Sequence, residues 1–440
     1  MSKCAIRGSI LSFSDDPFVN PAQDCVDYID DGMVVTQEGK ICDLGPAADI
    51  EPGLTSEVYV DDCSGSLILP GFIDCHVHYP QVEIVGAGGK QLMDWLNEYT
   101  FVAEQKFSDA DYARGAAQVF LRECLRAGTT TCAAFCTVFP ESVQVFFEES
   151  EKLNMCNIAG KMLMDRNAPA ALTDTPQSAY DQSKLLIQRW HGRGRQLYAL
   201  TPRFALTSSP GQMDAVGALW SEHPGTYLQS HLSENAEEVH RVMDMHPGRS
   251  NYVDVYRHHG LLGPRSIYGH GIHLSDGELS VLHDTGTALA HCPTSNLFLG
   301  SGLFDIRRAV DPDRPVRVGL ATDLGAGTSF SLLVTMNEAY KVAQLKGYPL
   351  NAACAFYLAT LGAARALYLD DRIGSLSKGK DADLVVLDPK ATPLLEHRMQ
   401  YVKDVEEMLF VLMTLGDDRA VRSTYVAGAK RYSRENQDNV

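Results

Sequence analysis

Two histidines separated by one residue end a short apolar run early in the sequence. Residues 71–78 read GFIDCHVH, so His76 and His78 lie at the end of a predicted strand. Side chains two positions apart project from the same face of a strand, and both imidazoles can therefore approach one ion. The pair alone is weak evidence, because two polar residues in a loop give the same pattern.

Three further metal-binding side chains, His231, His270 and Asp323, also end predicted strands. Zinc binds imidazole nitrogen and carboxylate oxygen, and a catalytic zinc site leaves one position for water. Zinc lowers the pKa of that water to about 7, which supplies hydroxide at neutral pH. Each residue separately could instead be a buried, hydrogen-bonded polar group. The convergence of four strand ends favours a catalytic metal site.

A carboxylate follows one of these candidate ligands at a distance that suits proton transfer. Glu234 is three residues beyond His231, on the loop before a helix predicted over 236–245. Hydrolysis of an aromatic amine requires protonation of a ring nitrogen and then of the departing ammonia. A positioned acid performs both steps, and such catalysis typically contributes ~10²–10⁴-fold. The alternative is that Glu234 only caps the helix.

The elements that must position these residues alternate between strand and helix from Gly71 onward, which predicts a parallel sheet. Counting from Phe72 gives eight strand candidates, and the sequence therefore predicts an α/β fold, a (β/α)8 TIM barrel with its site at the C-terminal ends of the strands. After Phe72 the candidates are 129–135, 159–164, 197–201, 225–231, 266–270, 288–291 and 318–322.

Short β-rich runs at both ends of the chain predict a second, smaller domain. The first part contains candidate strands at 4–13, 33–36, 40–44 and 66–70, and the last part contains them within 374–387 and at 425–431. We expect the two ends to meet in one β-sandwich beside the barrel. The predicted division is 1–68 and 372–440 for the β-sandwich and 69–371 for the barrel.

Composition excludes several functional classes. The 440 residues are 45% hydrophobic and carry a formal charge of −18, from 56 acidic and 38 basic residues. Such a chain can bury a large core and repels polyphosphate, which argues against a nucleic-acid partner. No apolar run approaches the ~20 residues that cross a bilayer, and the start lacks the apolar block of a secretory signal. Eleven cysteines without CxxC pairs indicate reduced thiols, so we expect a cytoplasmic protein without a membrane partner.

Five segments together resemble the amidohydrolase superfamily and, within it, the guanine deaminase family. The resemblance covers nearly the whole predicted barrel, and its first two segments in tandem are the specific part. The segments are GFIDCHVHYPQ at 71–81, QLMDWLNEYTF at 91–101, SHLSEN at 230–235, HCPTSNLFLGSGLF at 291–304 and ATDLGAGTS at 321–329.

The resemblance implies a role for each candidate residue. His76, His78, His231 and Asp323 would hold one Zn²⁺ per chain, and Asp323 would also accept the proton of the attacking water. His270 would position that water and stabilise the oxygen that develops charge. Glu234 would be the proton shuttle. The activity that the resemblance implies is the hydrolytic deamination of guanine to xanthine and ammonia in purine catabolism. The resemblance also implies a homodimer.

The resemblance further matches Gln81, Arg203 and Phe204 to purine-binding positions, beside His231, Glu234 and Asp323. An arginine that donates to the 6-oxo group and an amide that faces the ring edge are chemically suited to a purine. The alternatives are a surface salt bridge for Arg203 and ordinary core packing for Phe204.

Other functions remain open at this point. The nearest is an aminohydrolase for another ring, such as a pterin, 8-oxoguanine or a triazine, which would use the same zinc chemistry and a different pocket. A two-metal amide hydrolase is disfavoured because no lysine stands at a convincing strand end. The zinc deaminases that carry H-x-E and P-C-x-x-C motifs are excluded, because neither motif occurs. A non-catalytic scaffold would be expected to have lost a metal ligand or the acid, whereas every expected group is present in this sequence.

Overall fold

The computed structural model describes residues 3–88 and 90–435 of the chain. Its strands fall into two sheets that use different parts of the sequence. In chain order the strands are β1 (Cys4–Phe13), β2 (Val26–Gln37), β3 (Lys40–Pro46), β4 (Tyr59–Pro70), β5 (Phe72–His78), β6 (Thr129–Phe135), β7 (Ile158–Gly160), β8 (Met162–Leu163), β9 (Leu197–Pro202), β10 (Tyr227–Leu232), β11 (Ser266–His270), β12 (Ala288–His291), β13 (Val318–Leu320), β14 (Leu384–Leu387), β15 (Val421–Val426) and β16 (Ala429–Ser433).

Helices separate the strands of the central part of the chain. Several begin with a side-chain cap, for example Asn235, whose side chain accepts a hydrogen bond from the backbone N–H of Glu237. The α-helices are Ala22–Cys25, Ala47–Ile50, Leu92–Trp95, Phe101–Glu104, Ala110–Arg126, Pro140–Leu153, Pro176–Trp190, Pro210–Glu222, Ala236–Met245, Tyr252–His258, Asp276–Thr285, Pro293–Phe298, Ile306–Ala309, Leu332–Leu345, Ala352–Leu358, Leu361–Ala366, Pro393–Met399 and Val405–Leu415.

The central sheet is a nearly closed parallel barrel, and the predicted fold class is confirmed. Hydrogen bonds connect the strands in the order β13, β12, β11, β10, β9, β7, β6, β5. The short strand β8 follows β7 in the chain and also pairs with β9. β5 and β13 meet at the C-terminal end, where the backbone N–H of Asp323 donates to the carbonyl of His76 over 2.9 Å. Strands buried on both faces explain why the sequence shows continuous apolar runs there.

The second sheet joins both ends of the chain, as the sequence pattern predicted. Its order is β16, β15, β14, β4, β1, β2, β3, so that β4 from the first part lies beside β14 from the last. The β-sandwich expected from sequence is one continuous hydrogen-bonded sheet. The chain passes from the second sheet into the barrel between Pro70, the last residue of β4, and Phe72, the first residue of β5. The proposed domain bounds themselves stay a prediction.

The last part of the chain differs from the sequence pattern in two ways. The segment predicted as one short strand around a glycine is a hairpin, in which β15 and β16 pair antiparallel across Ala427 and Gly428. Two helices, Pro393–Met399 and Val405–Leu415, were missed, and Leu409 and Leu412 of the second join the large hydrophobic core. No helix in the described ranges is long and apolar enough to cross a membrane.

A buried arginine joins the N-terminal end of the barrel to the second sheet. Arg195 precedes β9, and its Nη1 donates to Asp383 Oδ1 over 3.1 Å while Nη2 donates to Asp381 Oδ2 over 3.1 Å. The side chain of Arg195 is only 9% exposed, and those of Asp381 and Asp383 are 6% and 3% exposed. A buried ion pair of this kind is costly to break, because the remaining partner keeps an uncompensated charge.

Replacing Arg195 with Met should lower the free energy of unfolding by about 3–5 kcal/mol, since two buried carboxylates lose their common partner. Urea titration of the purified variant measures this change. Arg193→Met is the matched control, because Arg193 pairs with Glu151 at the surface, where both side chains are exposed. That control should lose at most about 1 kcal/mol. Equal losses in the two variants would contradict the role given to Arg195.

Candidate metal centre

The candidate ligands predicted from sequence come together at the C-terminal end of the barrel. The Nε2 atoms of His78 and His231 lie 3.2 Å apart, and Asp323 Oδ1 lies 3.4 Å from the Nε2 atoms of both His76 and His78. His270 is at the edge of the cluster, with Nε2 3.8 Å from Asp323 Oδ2. These residues come from β5, β10, β11 and the loop after β13, and all are buried.

Hydrogen bonding and burial leave the imidazoles as neutral ligands. Burial lowers the pKa of His76, His78 and His231 well below the usual value, and neighbouring imidazoles lower it further. Nδ1 of His231 lies 2.7 Å from the carbonyl oxygen of Arg203, which can only accept. The proton of His231 is therefore on Nδ1, and the Nε2 lone pair faces the cluster, an arrangement typical of metal-binding histidines.

The donor set fits a metal ion. His76 Nε2 and His270 Nε2 are buried atoms without a hydrogen-bond partner among the described residues. Buried polar atoms are normally satisfied, so unpaired nitrogens facing a carboxylate indicate that a cation completes the site. The ligand atoms of His76, His78 and His231 lie within 4.8 Å of one another, and so do those of His76, His270, Cys292 and Asp323. Cys292 was not predicted as a neighbour of the site.

Strained backbone directs two of these side chains inward. His270 and Asp323 have φ angles of 74° and 48°, in the left-handed region that non-glycine residues rarely adopt. Gly269 precedes His270, and a Cβ there would lie 2.8 Å from Cε1 of His76. The absence of a side chain at Gly269 therefore allows the His76 ring to pack against β11.

Asp74 holds the first and last barrel strands in register and was missed in the sequence analysis. Its Oδ1 accepts from the backbone N–H of Thr322 over 3.0 Å, and its carboxylate also accepts from the Thr322 hydroxyl. The side chain is buried beside the candidate ligands His76 and Asp323. Its position in the GFIDCHVH segment, two residues before His76 and in the same alternation as the two histidines, is the signal that could have identified it.

Glu234 lies beside the cluster and does not cap the helix that follows. Asn235 is the cap, and Glu238 completes the capping box. Glu234 Oε2 instead lies 3.4 Å from His270 Nε2, and Ser301 donates to Oε1 over 3.4 Å. Burial, with a smaller contribution from Asp323, raises the pKa of Glu234 to about 8. A carboxylic acid that holds its proton near neutral pH can donate it to a bound ring.

Asn296 orients His270 from the other side of the ring. Its Oδ1 lies 2.9 Å from His270 Nδ1, while the Nε2 of His270 faces Glu234 and Asp323. An amide oxygen only accepts, so His270 Nδ1 carries a proton. Asn296 lies in the HCPTSN segment, which the sequence analysis recognised without giving the asparagine a role.

The remaining predicted site residues lie next to this cluster. Arg203, Phe204, His231 and Glu234 line one small cavity together with Leu92 and Leu96. Arg203 is 3% exposed and pairs with buried Glu104, so the surface salt bridge considered from sequence is excluded. Phe204 belongs to the hydrophobic core and also lines the cavity. Both of its interpretations therefore hold.

Gln81 reaches the same region through Glu104, since its Nε2 lies 3.4 Å from Glu104 Oε1. Trp95, on the helix that carries Leu92, belongs to the hydrophobic core.

One buried lysine does stand at a strand end, contrary to the sequence analysis. Lys161 directly follows β7, at a position that the predicted strand 159–164 concealed. Its ammonium pairs with Asp174 and is fully buried. Because a carboxylate already engages it, Lys161 does not resemble a lysine free to bridge two metal ions.

Known proteins share this fold and these segments. A family model described as the amidohydrolase family matches residues 67–430. Guanine deaminase of Escherichia coli strain K12 is 47% identical over 432 residues, which is 98% of this chain and 98% of that protein. Guanine deaminase of Homo sapiens is 32% identical over 415 residues, which is 90% of each.

Solved structures agree with the sequence relatives. The structure of E. coli guanine deaminase has a TM-score of 0.95 and covers 98% of this chain and 99% of that chain. The structure of guanine deaminase from C. acetobutylicum with bound guanine in the active site is 28% identical, with a TM-score of 0.87, and covers 98% and 100% of the two chains.

The chain belongs to the amidohydrolase family. The relatives described above are guanine deaminases, and the similarity spans the barrel and both chain ends.

Removal of one candidate ligand should abolish metal binding, because an incomplete donor set leaves an open coordination position. His76→Ala and Asp323→Ala are each expected to contain less than about a tenth of the metal of the parent protein, as measured by mass spectrometry of the purified chains. The matched control is His291→Ala. His291 is buried nearby and stacks on Phe304, outside both donor clusters. Full metal content in both ligand variants would show that the ligands are misassigned.

Proposed function

We propose that this protein is a zinc-dependent aminohydrolase that converts guanine and water to xanthine and ammonia. The observation that carries the proposal is that Arg203, Phe204, His231 and Glu234 line the same cavity beside the cluster of candidate ligands. The identity of the chain with guanine deaminases supports guanine as the substrate. In the reaction a C–O bond forms from water, and the bond from the ring carbon to the exocyclic nitrogen breaks.

The proposed ligands are His76, His78, His231 and Asp323. Three neutral imidazoles and one carboxylate are the donor types that zinc prefers. When bound, the zinc ion would act as a Lewis acid and make water nucleophilic at neutral pH.

The protein's own groups supply the proton transfers. Asp323 accepts the proton of the attacking water, and Glu234 transfers protons to the ring nitrogen and then to the departing ammonia. The proximity of Glu234 to His270 and the burial of both carboxylates support this assignment. His270 positions the water and stabilises the oxygen that develops charge, with its ring held by Asn296.

Recognition of the purine uses the other side of the cavity. Arg203 donates to the 6-oxo group, Phe204 packs against the ring, and Gln81 contacts the ring edge. Among the described residues, the Arg203 guanidinium donates hydrogen bonds only from Nη1, so Nε and Nη2 are available as donors.

Ammonia release from a panel of rings tests the reaction class and the substrate together. The zinc-loaded protein is incubated with guanine, 8-oxoguanine, a pterin and an amino-triazine, and kcat/KM is measured for each. Guanine should exceed the others by at least about tenfold. Preference for another ring would contradict the substrate, and no ammonia from any ring would contradict the reaction.

We also propose a homodimer in the cytoplasm, as expected from the family resemblance and composition. Sedimentation velocity measures the dimer. A monomer at micromolar concentration would contradict it.

Arg203→Ala should raise KM for guanine at least about tenfold while zinc content stays full, because an anchor that holds the purine contributes to binding in ground and transition states alike. Steady-state kinetics and metal analysis on one preparation measure both quantities. An unchanged KM would remove Arg203 from the purine site.

Glu234→Gln keeps the shape of the side chain and removes its ability to transfer protons. Zinc content and melting temperature should stay near those of the parent protein, and kcat should fall by at least the ~10²-fold typical of acid–base catalysis. Glu237→Gln is the matched control, because Glu237 lies exposed on the next helix. A folded, zinc-containing Glu234→Gln protein with near-normal turnover would refute the proton shuttle.

A further inference from the structure

Glu104 is a fully buried carboxylate at the end of a helical segment whose first residues line the cavity beside the candidate ligands. The segment runs from Leu92 through a π-helical turn at Leu96–Thr100 to Glu104. Arg203 Nη1 donates to both oxygens of Glu104, over 2.9 and 3.0 Å, and the Phe101 ring lies 5.4 Å from the guanidinium carbon. Glu104 and Arg203 are 0% and 3% exposed, so water does not screen the pair.

Glu104 compensates the charge of Arg203 through Nη1, and no hydrogen bond to another described residue uses Nε or Nη2. A buried guanidinium needs a counter-charge, and Glu104 supplies one, while Arg203 itself lines the cavity with Phe204 and His231. Because Nη1 alone serves both carboxylate oxygens, Nε and Nη2 stay free for a ligand. The purine therefore meets hydrogen-bond donors that belong to a neutral pair.

Guanine, the substrate of the proposed reaction, and xanthine, its product, differ in how readily they become anions. Guanine is neutral near physiological pH. Xanthine has two lactam groups in its six-membered ring and loses its first proton at a lower pH than guanine does. An uncompensated guanidinium at short range would bind the xanthine anion strongly, since opposite charges attract most where water is excluded.

We propose that Glu104 is a specificity-determining residue that neutralises Arg203, so that the pocket accepts a neutral lactam and releases the anionic product. This inference rests on the proposed deamination of guanine. Glu104 acts through Arg203 and is a positioning residue rather than a catalytic one.

Glu104 also orients the second recognition side chain. Its carboxylate only accepts hydrogen bonds, so the atom of Gln81 that faces it at 3.4 Å is the Nε2 donor. Gln81 Oε1 then lies over Gly325, where a Cβ would come within 2.0 Å of it. One carboxylate therefore sets both the charge of the arginine and the direction of the amide.

The test compares xanthine inhibition of the zinc-loaded parent protein and Glu104→Gln at about pH 6 and about pH 8.5, on either side of xanthine ionisation. In the parent protein, xanthine should bind more weakly at the higher pH, because only the neutral form fits. In Glu104→Gln, the inhibition constant at the higher pH should be about tenfold or more lower than in the parent protein. The same pH profile in both proteins would overturn the proposal.

Two further variants separate charge from structure. Glu104→Asp keeps the charge and should keep the pH profile of the parent protein, although KM for guanine rises. Asp383→Asn breaks the buried pair between Asp383 and Arg195, both of which are distant in sequence from Glu104. This variant should leave the pH profile unchanged. A profile shift in Asp383→Asn would assign the effect to general loss of stability and would refute the role of Glu104.

The parent protein alone also tests the inference, so it remains falsifiable if Glu104→Gln fails to fold. Tighter binding of xanthine as it ionises would overturn the proposal. Failure of the proposed function gives a different result, because the parent protein would then release no ammonia from guanine and bind neither purine in calorimetry.

Discussion

The structure depends on one unusual constraint: neutral imidazoles and a carboxylate are held together, with acceptor atoms facing one another, at the end of a nearly closed barrel. His78 and His231 direct their Nε2 atoms at each other over 3.2 Å, and Asp323 Oδ1 faces the Nε2 atoms of His76 and His78. Burial keeps the imidazoles neutral, and their donor atoms together with the carboxylate fit a cation.

Barrel closure enforces this constraint. Asp323 reaches the cluster because its backbone N–H is bonded to the carbonyl of His76, and Asp74 holds Thr322 beside the first strand. Left-handed backbone at His270 and Asp323 costs on the order of 1–3 kcal/mol each, which packing of the surrounding strands must offset. The second sheet supports the opposite end of the barrel, where Arg195, just before β9, pairs with Asp383, just before β14.

Charge is balanced in pairs around the site. Arg203 is neutralised by Glu104, Lys161 by Asp174, and the carboxyl of Glu234 is kept from ionising readily by burial and by Asp323. The chain is acidic overall, yet its cavity is lined by an arginine that is paired with Glu104 and by Glu234, a carboxyl group whose pKa is raised by burial. The proposed selectivity for an uncharged ring rests on these local pairs and not on the net charge.

The sequence by itself determined the barrel, the joining of both ends in a second sheet, and the candidate ligands. Periodicity, strand order and side-chain alternation are local properties, and they placed His231, His270 and Asp323 at strand ends that the structure brings together. The sequence also identified Glu234, although its alternative as a helix cap was resolved only when Asn235 was seen to occupy that position.

Tertiary structure decided the contacts between residues that are far apart in the chain. Glu104 and Arg203 are separated by 99 positions, and no local pattern marks Glu104 as the partner of the arginine that we propose to bind the purine. Lys161 was hidden inside a predicted strand, and the helices after β14 were missed because their apolar faces are defined by the barrel helices they cover. Pairing of buried charges depends on three-dimensional proximity, which periodicity along one chain does not encode.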